Sequence, residues 1–218
     1  MKGAVYVKLS YTQEYYLCAV DAMGELKTKA ILGTLFAGAL LELNINRFIE
    51  YTQKTEEVLI ASMPLGDSFL YLKPLYDLIA SQEEPLNVNI IADIMINSNI
   101  RKKFISSMGA SLATLGYADE LISKGFFKAQ TKYAPKANIS EPIIKRVRAE
   151  FNEGGELTDK TFCLTLLLNQ SNIIQDYYRD EEVCTIKNRL YELRDNKLYI
   201  LAETLFDVVM EYGLRVHP

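Results

Sequence analysis

The sequence predicts a mainly α, single globular domain with a buried central apolar helix wrapped by other helices, plus one or two short β-hairpins. Three observations carry this. Between Ala30 and Leu41 there is no charge, and Ile31, Leu32, Leu35, Phe36, Leu40 and Leu41 leave no polar face at the helical period. Such a helix belongs in a core or a bilayer. Spanning a bilayer takes about 20 apolar residues, and this run stops at Glu42. Capping residues then recur ahead of apolar-periodic segments. Finally, the 218 residues are 49% apolar, with no linker, low-complexity tract or repeat that would divide them, so residues 1–218 read as one domain.

Taken in order, Ser10 to Gln13 spells a capping box that opens a helix through Tyr15, Tyr16, Leu17 and Val20, broken by Gly24. The central helix runs from Lys29 to about Asn44–Asn46. Phe48, Tyr51, Val58 and Ile60 lie in two short runs separated by Gln53-Lys54-Thr55, which suggests a hairpin, and Pro64 and Gly66 punctuate its exit. A helix begins near Pro74 and ends near Ser81. Asn87 caps the next helix, and Ser98 or Asn99 caps one containing Arg101, Lys102 and Lys103. A further helical segment is expected from about Ser111 to Lys124, with Gly125 at its C′ position. The stretch FFKAQTKYAPK reads as a short hairpin or loop. Helices follow from Ser140 to Phe151, from Thr158 through TFCLTLLL, from Glu182 to Leu193 and from Leu198 to Tyr212.

Composition excludes more chemistry than it suggests. The only histidine is His217, near the C-terminus, where a catalytic geometry is hard to hold. Most Ser-His, Cys-His and zinc mechanisms are therefore set aside. Gly33 and Gly38 have phosphate-loop spacing without the following Lys-Ser/Thr, and they read as small residues for close helix packing. Asp67, in a Pro-Leu-Gly-Asp turn, reads as turn chemistry. Cys18, Cys163 and Cys184 form no C-x-x-C pair and read as reduced, buried thiols. For Tyr15-Tyr16 and Tyr177-Tyr178, one ring of each pair is expected to pack and the other to reach solvent. The net charge of −4 argues against a nucleic-acid partner. No segment reads as a secretory signal or a transmembrane span, which points to a cytoplasmic protein. No enzyme, cofactor or metal site is read.

One segment departs from the acidic background. Leu121 to Arg148 holds Lys124, Lys128, Lys132, Lys136, Lys145, Arg146 and Arg148 against Glu141 alone. The rest of the chain carries 17 basic and 27 acidic residues. Phe126, Phe127 and Tyr133 are interleaved with the lysines. These ten residues, apart from Glu141, are the candidate membrane-facing set, since basic residues are drawn to anionic leaflets and rings beside them enter the interface. The alternative is a solvated loop whose phenylalanines cap the core. Whether Arg101, Lys102 and Lys103 join the later lysines on one face decides how large the surface is.

Six stretches in order resemble the Golgi phosphoprotein 3 family. They are Leu9–Leu26 (LSYTQEYYLCAVDAMGEL), Ala37–Glu50 (AGALLELNINRFIE), Val58–Leu70 (VLIASMPLGDSFL), Asp119–Phe127 (DELISKGFF), Glu141–Phe151 (EPIIKRVRAEF) and Leu157–Tyr178 (LTDKTFCLTLLLNQSNIIQDYY). The resemblance implies a single, mostly helical, non-enzymatic domain. It further implies a peripheral membrane protein that binds phosphatidylinositol 4-phosphate and contacts protein tails, with a membrane-dipping hairpin represented here by Phe126 to Lys136.

The family's headgroup residues are not matched. The chain has no tryptophan, and the connection from Gly24 to Lys29 is too short for the family's segment. The pocket arginines would fall at Phe36 and near Ser111 and Thr114. These departures lean toward a bacterial relative and toward generic binding of an anionic membrane, peripheral on its inner face. The other reading is a protein-interaction or self-association module, whose Phe48 to Ile60 hairpin offers an edge to a second copy.

Overall fold

The computed structural model describes residues 8–60, 63–124, 129–152 and 157–215. Its first helix, α1 (Tyr11–Ala19), starts at the capping box. The Ser10 hydroxyl accepts from the Gln13 amide, and the Gln13 side chain accepts from the Ser10 amide. Helix α2 (Lys29–Ile45) is capped by Thr28 and is buried from Ile31 to Leu43, as its apolar circumference requires. Strands β1 (Ile49–Thr52), β2 (Glu57–Ile60) and the two-residue β3 (Leu86–Asn87) form an antiparallel sheet in the order β1-β2-β3. A 3-10 turn at Asp67–Leu72 leads into α3 (Lys73–Ala80), which has proline in its first turn. Asn87 caps α4 (Val88–Asn97), and Ser98 caps α5 (Asn99–Thr114).

The second hairpin corrects the helix expected from Ser111 to Lys124. Helix α5 ends at Thr114, and Gly116 takes φ +82° just beyond it. That left-handed residue closes the helix, with the Tyr117 amide bonded back to the Leu112 carbonyl. The chain then leaves as β4 (Ala118–Lys124), which pairs with β5 (Ala129–Pro135) in register Ala118 to Pro135 through Lys124 to Ala129. Apolar runs this short do not distinguish strand from helix.

Helices α6 (Ser140–Asn152), α7 (Asp159–Gln170), α8 (Ile174–Tyr177), α9 (Asp180–Glu192) and α10 (Lys197–Arg215) complete the fold. Thr158 caps α7 as expected. One contiguous core cluster runs from Leu9 to Val209, with α10 and α7 packed against α2 and α1 against α7. The glycines of α2 serve close packing. A Cβ at Gly38 would meet a Leu167 methyl at 2.9 Å, and one at Gly33 would meet the Met210 sulfur at 3.0 Å.

Two expectations are corrected in the core. Tyr15 and Tyr16 are both fully buried. Their hydroxyls reach the Ile31 and Tyr133 carbonyls, so neither ring needs solvent for its polar end. Tyr178 is buried and Tyr177 half-buried, and they donate to the Ile144 and Cys18 carbonyls. Cys18 and Cys163 are buried, and burial pushes the Cys18 thiol up to about 12. Cys184, on α9, is exposed. Its position falls on the helix face opposite Val183, Ile186 and Leu190, which are the residues that α9 buries.

Candidate functional site

The turn between α1 and α2 is built against the second hairpin. Val20 bridges to Leu26, and between them the Asp21 carboxylate accepts from the Met23 and Glu25 amides at 2.8 and 3.0 Å. Gly24, at φ +73°, lets the turn press on β5: a Cβ there would meet the Lys132 Cβ at 2.9 Å and the Tyr133 amide nitrogen at 3.1 Å. On its other side β5 is held by α5. The Tyr133 ring lies on Gly109, where a Cβ would fall 2.5 and 2.6 Å from two ring carbons. Tyr16 secures the Tyr133 carbonyl from beneath. Burial raises the Tyr16 hydroxyl well above an ordinary phenol, and the neighbouring Tyr133 adds to the rise, so it stays a donor.

A groove of about 610 Å³ opens between this turn, the start of α2, the first two turns of α5 and β5. Five cations line it: Lys27, Lys29, Arg101, Lys102 and Lys132. Among the described residues its one carboxylate is Glu25, which is ion-paired with Lys132. Leu26, Leu32, Ile105 and Tyr133 supply apolar walls. Helix α2 starts here, with Thr28 and Lys29 both on the lining, so its positive end adds to the cationic field. Arg101 is steadied by donating to the Ile96 carbonyl at 3.0 Å. Lys27, Lys29 and Lys102 are exposed and make no ion pair among the described residues. Two apolar side chains stand near this groove: Met23 on the turn, 68% exposed, and Ile122, the cross-strand partner of Thr131, 66% exposed.

A family model described as Golgi phosphoprotein 3 (GPP34) matches residues 12–212. The chain belongs to the Golgi phosphoprotein 3 family. The groove lies entirely inside the matched span. No curated protein matches the chain. The positions that the resemblance assigned to the family's headgroup arginines are used otherwise. Phe36 is buried in the core, and the Ser111 hydroxyl accepts from the Gln13 side chain and donates to the Met108 carbonyl. The cations of α5 stand earlier in the helix, at Arg101, Lys102 and Lys103.

The fold divides the basic segment read from the sequence. Lys132 and Tyr133 line the groove. Lys124 ends β4, while Phe126, Phe127 and Lys128 lie outside the described residues. Lys136 is exposed just past β5, 3.9 Å from Asp119. Lys145 is exposed on α6. Arg146 turns inward from α6 and forms a two-point pair with Glu14, at 2.9 and 2.7 Å. Lys160 reaches the same carboxylate at 2.6 Å. Arg148 bonds Glu182 at 2.7 Å and the Tyr177 carbonyl at 3.2 Å, and lies over the Tyr178 ring. Arg146 is turned from Lys145 by helical periodicity, whereas Arg148, three residues on, shares Lys145's side of α6 and differs from it by its pair with Glu182.

The basic strip of the sequence is thus divided in the fold, and the groove takes cations from outside it. Lys27 and Lys29 carried no sequence signal beyond their charge. Arg101 and Lys102 join Lys132, and Lys103, although exposed, is not on the lining.

Proposed function

We propose that this chain is a non-enzymatic, single-domain peripheral module of residues 1–218 that docks on the anionic, cytoplasm-facing leaflet of a membrane. The contact surface is the cationic groove with the β4–β5 hairpin beside it. The observation that carries this reading is the convergence of five cations against one carboxylate in a single groove. Each basic residue near an anionic leaflet contributes about 1 kcal/mol, so Lys27, Lys29 and Lys102 together support a salt-sensitive attachment. Met23 and Ile122 add apolar contact of the kind that enters the interface. Lys124, Lys136 and, outside the described residues, Phe126, Phe127 and Lys128 are included in the proposal on their sequence alone. Arg146 and Arg148 hold helices together and are left out of it.

A generic anionic surface is preferred to a headgroup-specific pocket. Specific recognition of a phosphate ester uses several donors fixed in direction, whereas most of the lining cations are flexible lysines, which act as point charges. Co-sedimentation with phosphatidylcholine vesicles, with and without phosphatidylglycerol, tests the reading. Binding only to the anionic vesicles, weakening as salt rises, is expected. Absence of binding at low salt contradicts it.

Self-association is the second reading, and the sheet order favours it by leaving β1 at an edge. Light scattering that shows a strict monomer at high concentration removes it.

A further inference from the structure

We propose that Glu25 is an internal competitor for the cationic groove: its carboxylate occupies Lys132, and an incoming anion must displace it. This rests on the groove being the membrane contact. The pair joins the α1–α2 turn to β5 across 107 residues of sequence. The two partners are unequally held. The Lys132 side chain is 30% exposed and the Glu25 side chain 54%, so the ammonium is confined while the carboxylate can swing out. Nothing else in the turn has to move. Asp21 fixes both the Met23 and Glu25 amides, the Asp21 amide donates to the Glu25 carbonyl at 3.1 Å, and Gly24 already touches β5. Rotation of one side chain converts Lys132 from a paired to an available cation and carries the Glu25 carboxylate away from an arriving anion.

An exposed pair of this kind shifts an equilibrium by up to about fivefold. That is enough to set the salt concentration at which the protein leaves a membrane without abolishing its attachment. Glu25 thus acts as a specificity-determining residue, because it excludes anions that bring too little charge to replace it.

The test is a double-mutant cycle read by co-sedimentation with phosphatidylcholine–phosphatidylglycerol vesicles at low salt. The proteins are wild type, Glu25→Gln, Lys132→Gln and the double variant, with thermal melts to verify folding. Glu25→Gln is expected to bind about three- to fivefold tighter than wild type. Loss of the negative charge acts in both backgrounds, so in the Lys132→Gln background the same change is expected to gain less than in wild type, because there is no ammonium left to release. An equal gain in both backgrounds, or no gain in either, overturns the competitor and leaves the membrane reading standing. A Lys27→Gln/Lys29→Gln/Lys102→Gln variant run alongside separates the two ideas: unchanged binding there overturns the membrane reading itself. If neither wild type nor Glu25→Gln binds, both fall.

Discussion

Two sets of cations in this molecule began as neighbours in the sequence or as strangers, and the fold reversed the relation. Arg146 and Arg148, on α6, follow the hairpin lysines in the same basic stretch of sequence, yet they are ion-paired, Arg146 with the buried Glu14 and Arg148 with the partly exposed Glu182. Lys27, Lys29, Arg101, Lys102 and Lys132 come from three separate stretches and meet around one groove. A half-buried cation bonded to a carboxylate that packing holds, as Arg146 is to Glu14, stabilises helix packing and offers little to a ligand, whereas the partner of Lys132, Glu25, is exposed. An exposed cation without such a partner adds nothing to the fold and remains available to an external charge. The lesson is that a local excess of lysine and arginine becomes a surface only after the acids it meets in three dimensions have been subtracted.

The largest expected effect breaks the structural half of this comparison. Glu14 is buried and ties α1 to Arg146 on α6 and Lys160 on α7. Glu14→Ala leaves both cations near a low-dielectric core, where burial already pulls the Lys160 ammonium down. Removing one partner of a buried pair costs about 3–5 kcal/mol. Arg146 keeps a third of its exposure, so a loss near the lower end is expected in urea unfolding.

The groove half should respond in the opposite way. Lys27→Gln/Lys29→Gln/Lys102→Gln should lower affinity for anionic vesicles by about two orders of magnitude, from roughly 1 kcal/mol per charge. The same variant should change unfolding free energy by no more than about 0.5 kcal/mol.

Gly109→Ala sharpens the link between the regions, because the Tyr133 ring occupies the space that the new methyl needs. A loss of about 1–3 kcal/mol is expected from overpacking, together with weaker vesicle binding as β5 shifts. Loss of stability with full binding would separate the groove from the hairpin's seat on α5.

A smaller effect should appear with pH. Burial raises the Glu42 carboxyl above its usual range, opposed by hydrogen bonds that include one from Tyr71. A carboxyl raised in the folded state contributes stability that is complete below its unfolded pKa and is lost as pH rises through the folded value. Urea midpoints should therefore fall with rising pH across that window. Glu42→Gln should flatten that part of the profile. An unchanged slope in the variant would assign it to another group.

Much of the fold was legible because its signals are local. Ser10, Asn87, Ser98 and Thr158 each cap the helix that the sequence assigns to them, and caps act within three residues. The strand at Ala118–Lys124 was missed because its identity depends on pairing with β5 and on the left-handed Gly116, neither of which a short apolar run reveals. Tyr15 and Tyr16 were misjudged because their hydroxyl partners, Ile31 and Tyr133, are brought to them by tertiary packing. The site was half legible. Lys132 and Tyr133 stood out within a run of lysines. Lys27 and Arg101 share a surface only because the α1–α2 turn and α5 flank the same strand. The acids that withdraw Arg146 and Arg148 from the surface lie 132 and 34 residues away along the chain.

Under the proposed function, position in the fold, and not charge alone, makes the membrane surface. This is tested most directly by comparing two variants that each remove three positive charges, Lys27→Gln/Lys29→Gln/Lys102→Gln and Lys145→Gln/Lys187→Gln/Lys197→Gln, all at exposed positions. Co-sedimentation with anionic vesicles at low salt should show about a hundredfold loss for the groove variant and less than about threefold for the other. Equal losses from the two, or undiminished binding by the groove variant, would contradict it.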